Sequence, residues 1–185
     1  MTVSPPGAAL FADDFETGGC PCWRPVQGSW AVVLDSGTNH GYRNTNTSGS
    51  DWSYAGDTTW TDYAVQAQVK LITWASSGGI ARVFARYQPG TWGSYYAGLN
   101  GSGAVILRKR VGSSDIDLAP PKAIGATLGQ WYTLRLEVVG TTLKAYVNGT
   151  LQLTATDGDY ARGTIAVGGW NNVSLWDNVQ VTKLP

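Results

Sequence analysis

Residues 131–156, WYTLRLEVVGTTLKAYVNGTLQLTAT, decide the fold class. Leu134, Leu136 and Val138 alternate there with Thr133, Arg135 and Glu137, the period of two that a half-buried antiparallel strand requires. Val139-Gly140-Thr141 turns the chain, and Leu143, Ala145 and Val147 continue the inward set. Asn148-Gly149 then tolerates the positive φ of a tight hairpin. The unit reads as a β-meander of three strands.

The same period extends outward from the meander. Tyr63, Val65, Ala67, Val69 and Leu71 share one face, with Gln66, Gln68 and Lys70 on the other. Further strands are expected at Leu10 to Phe15, Gly28 to Leu34, Ser53 to Gly56, Gly79 to Tyr87, Tyr95 to Asn100, Ala104 to Val111, Gly163 to Gly168 and Leu175 to Thr182. Turn formers join them, as in Gln88-Pro-Gly-Thr-Trp-Gly and Asn100-Gly-Ser-Gly. No apolar helical face of three turns is present. The chain is therefore expected to be all-β, a two-sheet antiparallel sandwich of jelly-roll type.

A length of 185 residues suits one such domain, with residues 1–9 the end of a flexible linker and 10–185 the sandwich. Met1 and the following Thr-Val-Ser-Pro-Pro-Gly-Ala-Ala have the composition of a module cut from a longer secreted chain. Lys plus Arg and Asp plus Glu number 13 each, so no net field would recruit nucleic acid or an acidic membrane. No apolar run approaches the roughly 20 residues needed to cross a bilayer. Cys20 and Cys22 form a Cys-Pro-Cys run that reads equally as a local disulfide or two free thiols, and the lone His40, in a turn-like Gly-Thr-Asn-His-Gly-Tyr context, hardly completes a metal site with them. Four sequons, at Asn46, Asn100, Asn148 and Asn172, read as incidental in a chain rich in Asn, Gly, Ser and Thr.

LFADDFETG near the start, DYAVQAQVK, GIARVFARYQ followed by YYAGL, the meander, and the closing GTIAVGGW with LWDNVQV occur in an order that covers nearly the whole chain. Their succession resembles the concanavalin A-like, laminin-G-like jelly rolls attached to bacterial polysaccharide lyases and glycoside hydrolases. That sandwich hosts lectin modules, lyases and hydrolases alike, so function must be argued from the site.

Catalysis finds little support in the residues. The Glu-x-Asp-x-x-Glu strand that carries nucleophile and acid/base in the related hydrolases is absent, as are the Arg-Glu-Leu-Arg and Gln-Ile-His strands of the related alginate lyases. Asp115 and Asp117 would point the same way if extended, but their setting reads as a solvated loop.

Binding has better material. Nine Trp and nine Tyr stand against three Phe, a bias toward rings with a polar handle. Trp30, Trp60, Trp131 and Trp176 read as packed. Trp23, Trp52, Trp74, Trp92 and Trp170 lie in Gly/Ser/Asn-rich segments, where an exposed ring can stack on the C–H face of a pyranose. In GIARVFARYQ the alternation puts Arg82, Phe84 and Arg86 on one face, with Tyr95 or Tyr96 and Arg108 brought near from neighbouring strands. Such a groove could take a neutral sugar or, through a charge-assisted fork, a uronic acid. Pairing of Arg82 and Arg86 with acids such as Glu137 is the plainer alternative. The family resemblance adds Trp170 and Asn171 as a loop bordering the groove. The expected carbohydrate contacts are Trp52, Arg82, Arg86, Trp92, Tyr95, Trp170 and Asn171.

The resemblance also implies a structural Ca²⁺ where the first and last strands meet, with Asp14, Glu16 and Asp177 as candidate ligands. The sequence reading is a secreted, monomeric, non-catalytic carbohydrate-binding module that holds an attached polysaccharide-degrading domain on its glycan. A small jelly-roll lyase or glycosidase, and a laminin-G-like adhesion domain, are the alternatives.

Overall fold

A computed structural model describes residues 7–45, 48–74 and 78–185. Its strands, in chain order, are β1 (Ala9–Asp13), β2 (Arg24–Gln27), β3 (Trp30–Ser36), β4 (Asn39–Asn44), β5 (Ser50–Ala55), β6 (Tyr63–Trp74), β7 (Ile80–Tyr87), β8 (Ser94–Asn100), β9 (Ala104–Val111), β10 (Ser114–Asp117), β11 (Lys122–Ala123), β12 (Trp131–Val139), β13 (Thr142–Val147), β14 (Thr150–Thr156), β15 (Thr164–Trp170) and β16 (Asn172–Lys183). No helix occurs among the described residues.

The strands form two antiparallel sheets. One runs β14-β13-β12-β6-β16-β4-β3 with β1 added on β16, and the other runs β10-β9-β8-β7-β15-β5-β2 with β11 added on β9. The meander stands at one end of the first sheet, as its alternation requires. Leu134, Leu136 and Val138 sit opposite Ala67, Val65 and Tyr63 of β6 and opposite Val147, Ala145 and Leu143 of β13. Asn148 and Gly149 take φ of 49° and 77° in the tight hairpin to β14.

Between the sheets, Val65, Val69, Leu71, Leu134 and Leu136 meet Val83, Ala97, Leu99, Val105, Leu107 and Val167 in one core. Each fully buried aliphatic side chain there contributes about 1.5–3 kcal/mol of transfer free energy. The core explains why short strands hold their register, since a slip of one residue would turn every inward side chain to solvent.

Several segments differ from their sequence reading. His40 lies on β4 rather than in a turn. Composition hid that strand, because Asn, His and Gly favour strands poorly, and its place is fixed by neighbours β3 and β16. Asp115 and Asp117 lie on β10, not in a loop. Trp23 is not a loop platform: it is buried against Phe11, Phe15 and Tyr42, and its indole N–H donates to Asp13. Trp176 is buried as expected. Cys20 and Cys22 are joined in a disulfide.

Residues 1–6 of the expected linker and the Asn46 sequon lie outside the described residues. Its last residues are already part of the fold, with Ala9 in β1 and the Lys183 amide donating to the Ala8 carbonyl. The Asn172 side chain is fully buried, which leaves that sequon no room for a glycan.

Candidate functional site

The second sheet presents an outer face turned away from the core, and pairing register determines what stands on it. Phe84 of β7 is flanked by Tyr96 of β8 and Ala166 of β15, and Arg82 by Gly98 and Gly168. The same rows continue to Arg108 and Ile106 on β9 and to Tyr54 and Trp52 on β5. Asp117 and Asp115 of β10 stand opposite Arg108 and Arg110. One face thus carries three arginines, two aspartates and a group of aromatic rings.

These side chains close over one another. The Arg82 guanidinium lies 5.0 Å from the Phe84 ring and 5.4 Å from the Tyr96 ring. Trp52 donates to the Tyr87 hydroxyl at 2.9 Å, meets Trp92 edge-on at 5.4 Å, and has the Arg110 guanidinium 5.2 Å from its ring. Strands β5 and β9 are separated by β15, β7 and β8. In a flat sheet that is about 19 Å at the usual ~4.8 Å spacing, more than two such side chains can bridge, so the sheet curls toward this face. Trp52, Trp92 and Arg110 form a side-chain roof over the trough. Beneath it Arg82 is 1% exposed, although it lies on the face away from the sandwich core.

Glycines make room for that layer. A Cβ on Gly168 would come within 2.4 Å of the Asp51 carbonyl oxygen and 2.8 Å of the Trp52 Cβ, and one on Gly98 within 2.8 Å of Ile80. Both positions flank Arg82, so the floor under the guanidinium is backbone.

The electrostatics of the trough are unusual for a sheet face. Burial pulls the Arg82 guanidinium below its ordinary pKa, and burial raises the Tyr96 phenol. Arg82 donates from Nη2 to the Gly169 carbonyl at 2.6 Å, but its Nε has no partner. The Tyr96 hydroxyl, near Arg82 and Arg108, and the Arg110 Nε are likewise buried without a hydrogen bond. Asp115 is taken up by Arg110 at 3.1 Å and Asp117 by Arg108 at 2.6 Å. Both aspartates are ion-paired, and no unpaired pair of carboxylates faces the trough among the described residues.

Of the seven residues expected to bind sugar, Trp52, Arg82 and Trp92 come together here. Trp170 stands at the end of the same face, 38% exposed and paired with Ile80 and Ser50. Asn171 is a turn residue with φ 50°, and its side chain accepts from the Gly49 amide.

Arg86 and Tyr95 require correction. The alternation from Arg82 through Phe84 breaks at a bulge, where Arg86 takes φ 51° and the pairing with β15 shifts. Arg86 turns into the end of the sandwich and donates to the carbonyls of Thr61, Gly140 and Tyr160 and to Asp62. Tyr95 faces the core, where its hydroxyl donates to Asp157 at 2.6 Å; burial and that bond push its phenol up to about 12. Its neighbour Tyr96 takes the outer position. Glu137, the plainer partner suggested for these arginines, belongs to the other sheet and pairs with Arg135.

Sequence reasoning missed Tyr54, Tyr87 and Arg110. A usable signal existed for the arginine: Arg108-x-Arg110 and Asp115-x-Asp117 flank the Gly112 turn with matching spacing, which in a hairpin sets each acid opposite a base.

The expected metal ligands lie near the junction of β1 and β16. The Glu16 carboxylate accepts from the His40 amide at 3.0 Å and faces its Nδ1 at 3.2 Å, and the amide bond holds the acid below its ordinary pKa. Asp14 accepts from the Glu16 amide. Asp177 is buried, accepts from the Asn178 amide at 2.6 Å, and is raised by burial and by the charges of Glu16 and Asp14. Among the described residues no three acidic, histidine or cysteine side chains converge as a ready-made metal cluster.

The solved structures similar to this chain include a carbohydrate-binding module, CBM66, from Bacillus subtilis, 17% identical over 88% of this chain and 96% of that one, with a TM-score of 0.77. A β-glucanase from Bacillus licheniformis is 17% identical over 96% and 99% of the two chains, with a TM-score of 0.69. A lichenase derived from a mouse hindgut metagenome is 12% identical over 94% and 99%, with a TM-score of 0.70. At such identities the likeness is one of fold, the concanavalin A-like jelly roll. No curated protein sequence matches. The 3-keto-alpha-glucoside-1,2-lyase-like domain family matches residues 9–182, nearly the whole described sandwich, and the chain belongs to that family.

Proposed function

We propose that this domain is a non-catalytic carbohydrate-binding module whose sugar site is the outer face of the second sheet. One observation carries the reading. Arginine donors and aromatic rings share that face, while both of its aspartates are consumed by ion pairs. Trp170 and the half-buried Trp92 and Tyr54 supply ring surface for a pyranose C–H face and the guanidinium groups supply donors, whereas acid/base hydrolysis needs a carboxyl group free to give or take a proton. The likeness to a carbohydrate-binding module supports the same reading.

The module acts as a secreted monomer within a longer polysaccharide-degrading chain and raises the local glycan concentration around its catalytic neighbour. A structural Ca²⁺ at the β1/β16 junction completes the proposal, with Asp14, Glu16 and Asp177 as its ligands once the ion draws them together. Its support is the Asp177 carboxylate, buried beside two further acids, which a cation would compensate. The remaining ligands would be backbone or water oxygens.

A second reading, a lyase acting on 3-keto glycosides, is favoured by the family match. Elimination beside the ketone breaks the C2–H and C1–O bonds, so it needs a base for that proton, a donor for the enolate oxygen and a proton for the departing C1 oxygen; Arg82 is placed to serve as the enolate donor.

Incubation of the purified chain with polysaccharides and 3-keto glucosides, with retention and released product recorded together, separates the readings. Retention without product supports the module. Product moves the assignment to the lyase, and neither result points to a protein partner of laminin-G type.

A further inference from the structure

We propose that the trough selects a sugar bearing a carboxylate, so that the bound residue is a hexuronate rather than a neutral pyranose. The inference rests on the binding reading above and names its ligand class. It starts from a count of donors and acceptors. Arg82 Nε, Arg110 Nε and the Tyr96 hydroxyl are buried on one face with no acceptor. The charged acceptors on that face are already engaged, Asp115 with Arg110 and Asp117 with Arg108, and the Gly169 carbonyl accepts from Arg82; the Ser94 hydroxyl, opposite Arg110, is a further buried group without a hydrogen bond.

A neutral sugar hydroxyl brings a proton of its own and offers these donors only an uncharged acceptor. A carboxylate only accepts, at up to four positions, and matches the planar guanidinium fork. Charge leads to the same ligand. Arg82 makes no ion pair among the described residues, in contrast to Arg108 and Arg110. A buried cation without a counter-ion is costly, and a carboxylate entering the trough would offset that cost.

The roof leaves a way in. The Trp92–Trp52–Arg110 group is held by side-chain contacts alone, and Trp92 projects from the short Gln88–Gly93 turn closed by the Gln88 amide and the Gly93 carbonyl. Entry of the carboxylate requires side chains on this face to rotate, and no sheet hydrogen bond has to break for that.

The test compares polygalacturonate, alginate and glucuronoxylan with the carboxyl-reduced form of each, by affinity electrophoresis and calorimetry on the intact chain at low salt. At least one uronate polymer is expected to bind at least tenfold more tightly than its reduced form. Tyr96→Phe, which removes a hydroxyl that has no acceptor for its proton, is expected to fold normally and to bind that polymer at least threefold more weakly. Dextran sulfate and inorganic sulfate serve as the second arm, and preference for them over every uronate overturns the carboxylate assignment. Equal binding of acidic and reduced polymers overturns the inference and leaves the binding reading standing. Failure to retain any polymer overturns both.

Discussion

Replacing Arg86 with alanine separates a structural arginine from a binding one. The side chain is 1% exposed and donates to three carbonyls, Thr61 at 3.0 Å, Gly140 at 2.8 Å and Tyr160 at 2.9 Å, with Asp62 at 3.2 Å as a fourth contact. These bonds tie the loop before β6, the β12–β13 turn and the segment before β15 into one end of the sandwich. Hydrogen bonds to a charged donor contribute about 1.5–3 kcal/mol each when measured singly, but bonds sharing one donor group do not add. Allowing for partial rehydration of the freed carbonyls, we expect a loss of about 3–5 kcal/mol, comparable to breaking a buried ion pair. For a chain of this size that corresponds to a Tm lower by roughly 6–20 °C. Urea unfolding followed by tryptophan fluorescence measures the loss, and glycan retention measured well below the midpoint should equal that of the parent. A loss under about 1 kcal/mol, or loss of retention at unchanged stability, would refute the reasoning.

Other consequences can be checked independently. Gly168→Ala drives a Cβ to 2.4 Å from the Asp51 carbonyl oxygen, so backbone must move and stability should fall by about 1–3 kcal/mol in the same urea assay; an unchanged midpoint would mean the β5–β15 packing is looser than described. Burial alone would raise the Asp157 carboxyl, but bonds from Lys109 and Tyr95 outweigh it and hold the acid below its ordinary pKa. Its stabilising contribution is therefore complete above the unfolded value of about 4 and is lost as pH falls through the lower folded value. Asp157→Asn should flatten the stability profile as the pH falls below about 5, and parallel profiles for variant and parent would contradict this. If calcium occupies the β1/β16 junction, millimolar Ca²⁺ should raise the Tm over that in EDTA by several degrees, and Asp177→Asn should abolish the difference. Identical melting in Ca²⁺ and EDTA removes the ion from the proposal.

The sandwich was legible wherever the period of two ran unbroken. The meander and β6 were read residue by residue because each strand has one wet and one dry face, so burial is written in the alternation itself. Strands lacking that contrast escaped. β4 is built from Asn, His, Gly and Tyr, and β10 from Ser, Asp and Ile; both exist because a neighbour offers them a ladder, which is information from elsewhere in the chain.

For the site, the sequence alone determined that Arg82 and Phe84 share a face and that aromatic rings with polar handles outnumber phenylalanine. Tertiary structure decided the rest. A single bulge turned Arg86 itself inward, and the parity of one strand against its neighbour chose Tyr96 over Tyr95. Curling of the sheet brought Trp52 and Arg110 together from strands that have three others between them. Alternation is a local property set by backbone sterics, whereas phase slips, pairing register and curvature are set by contacts between residues far apart in sequence.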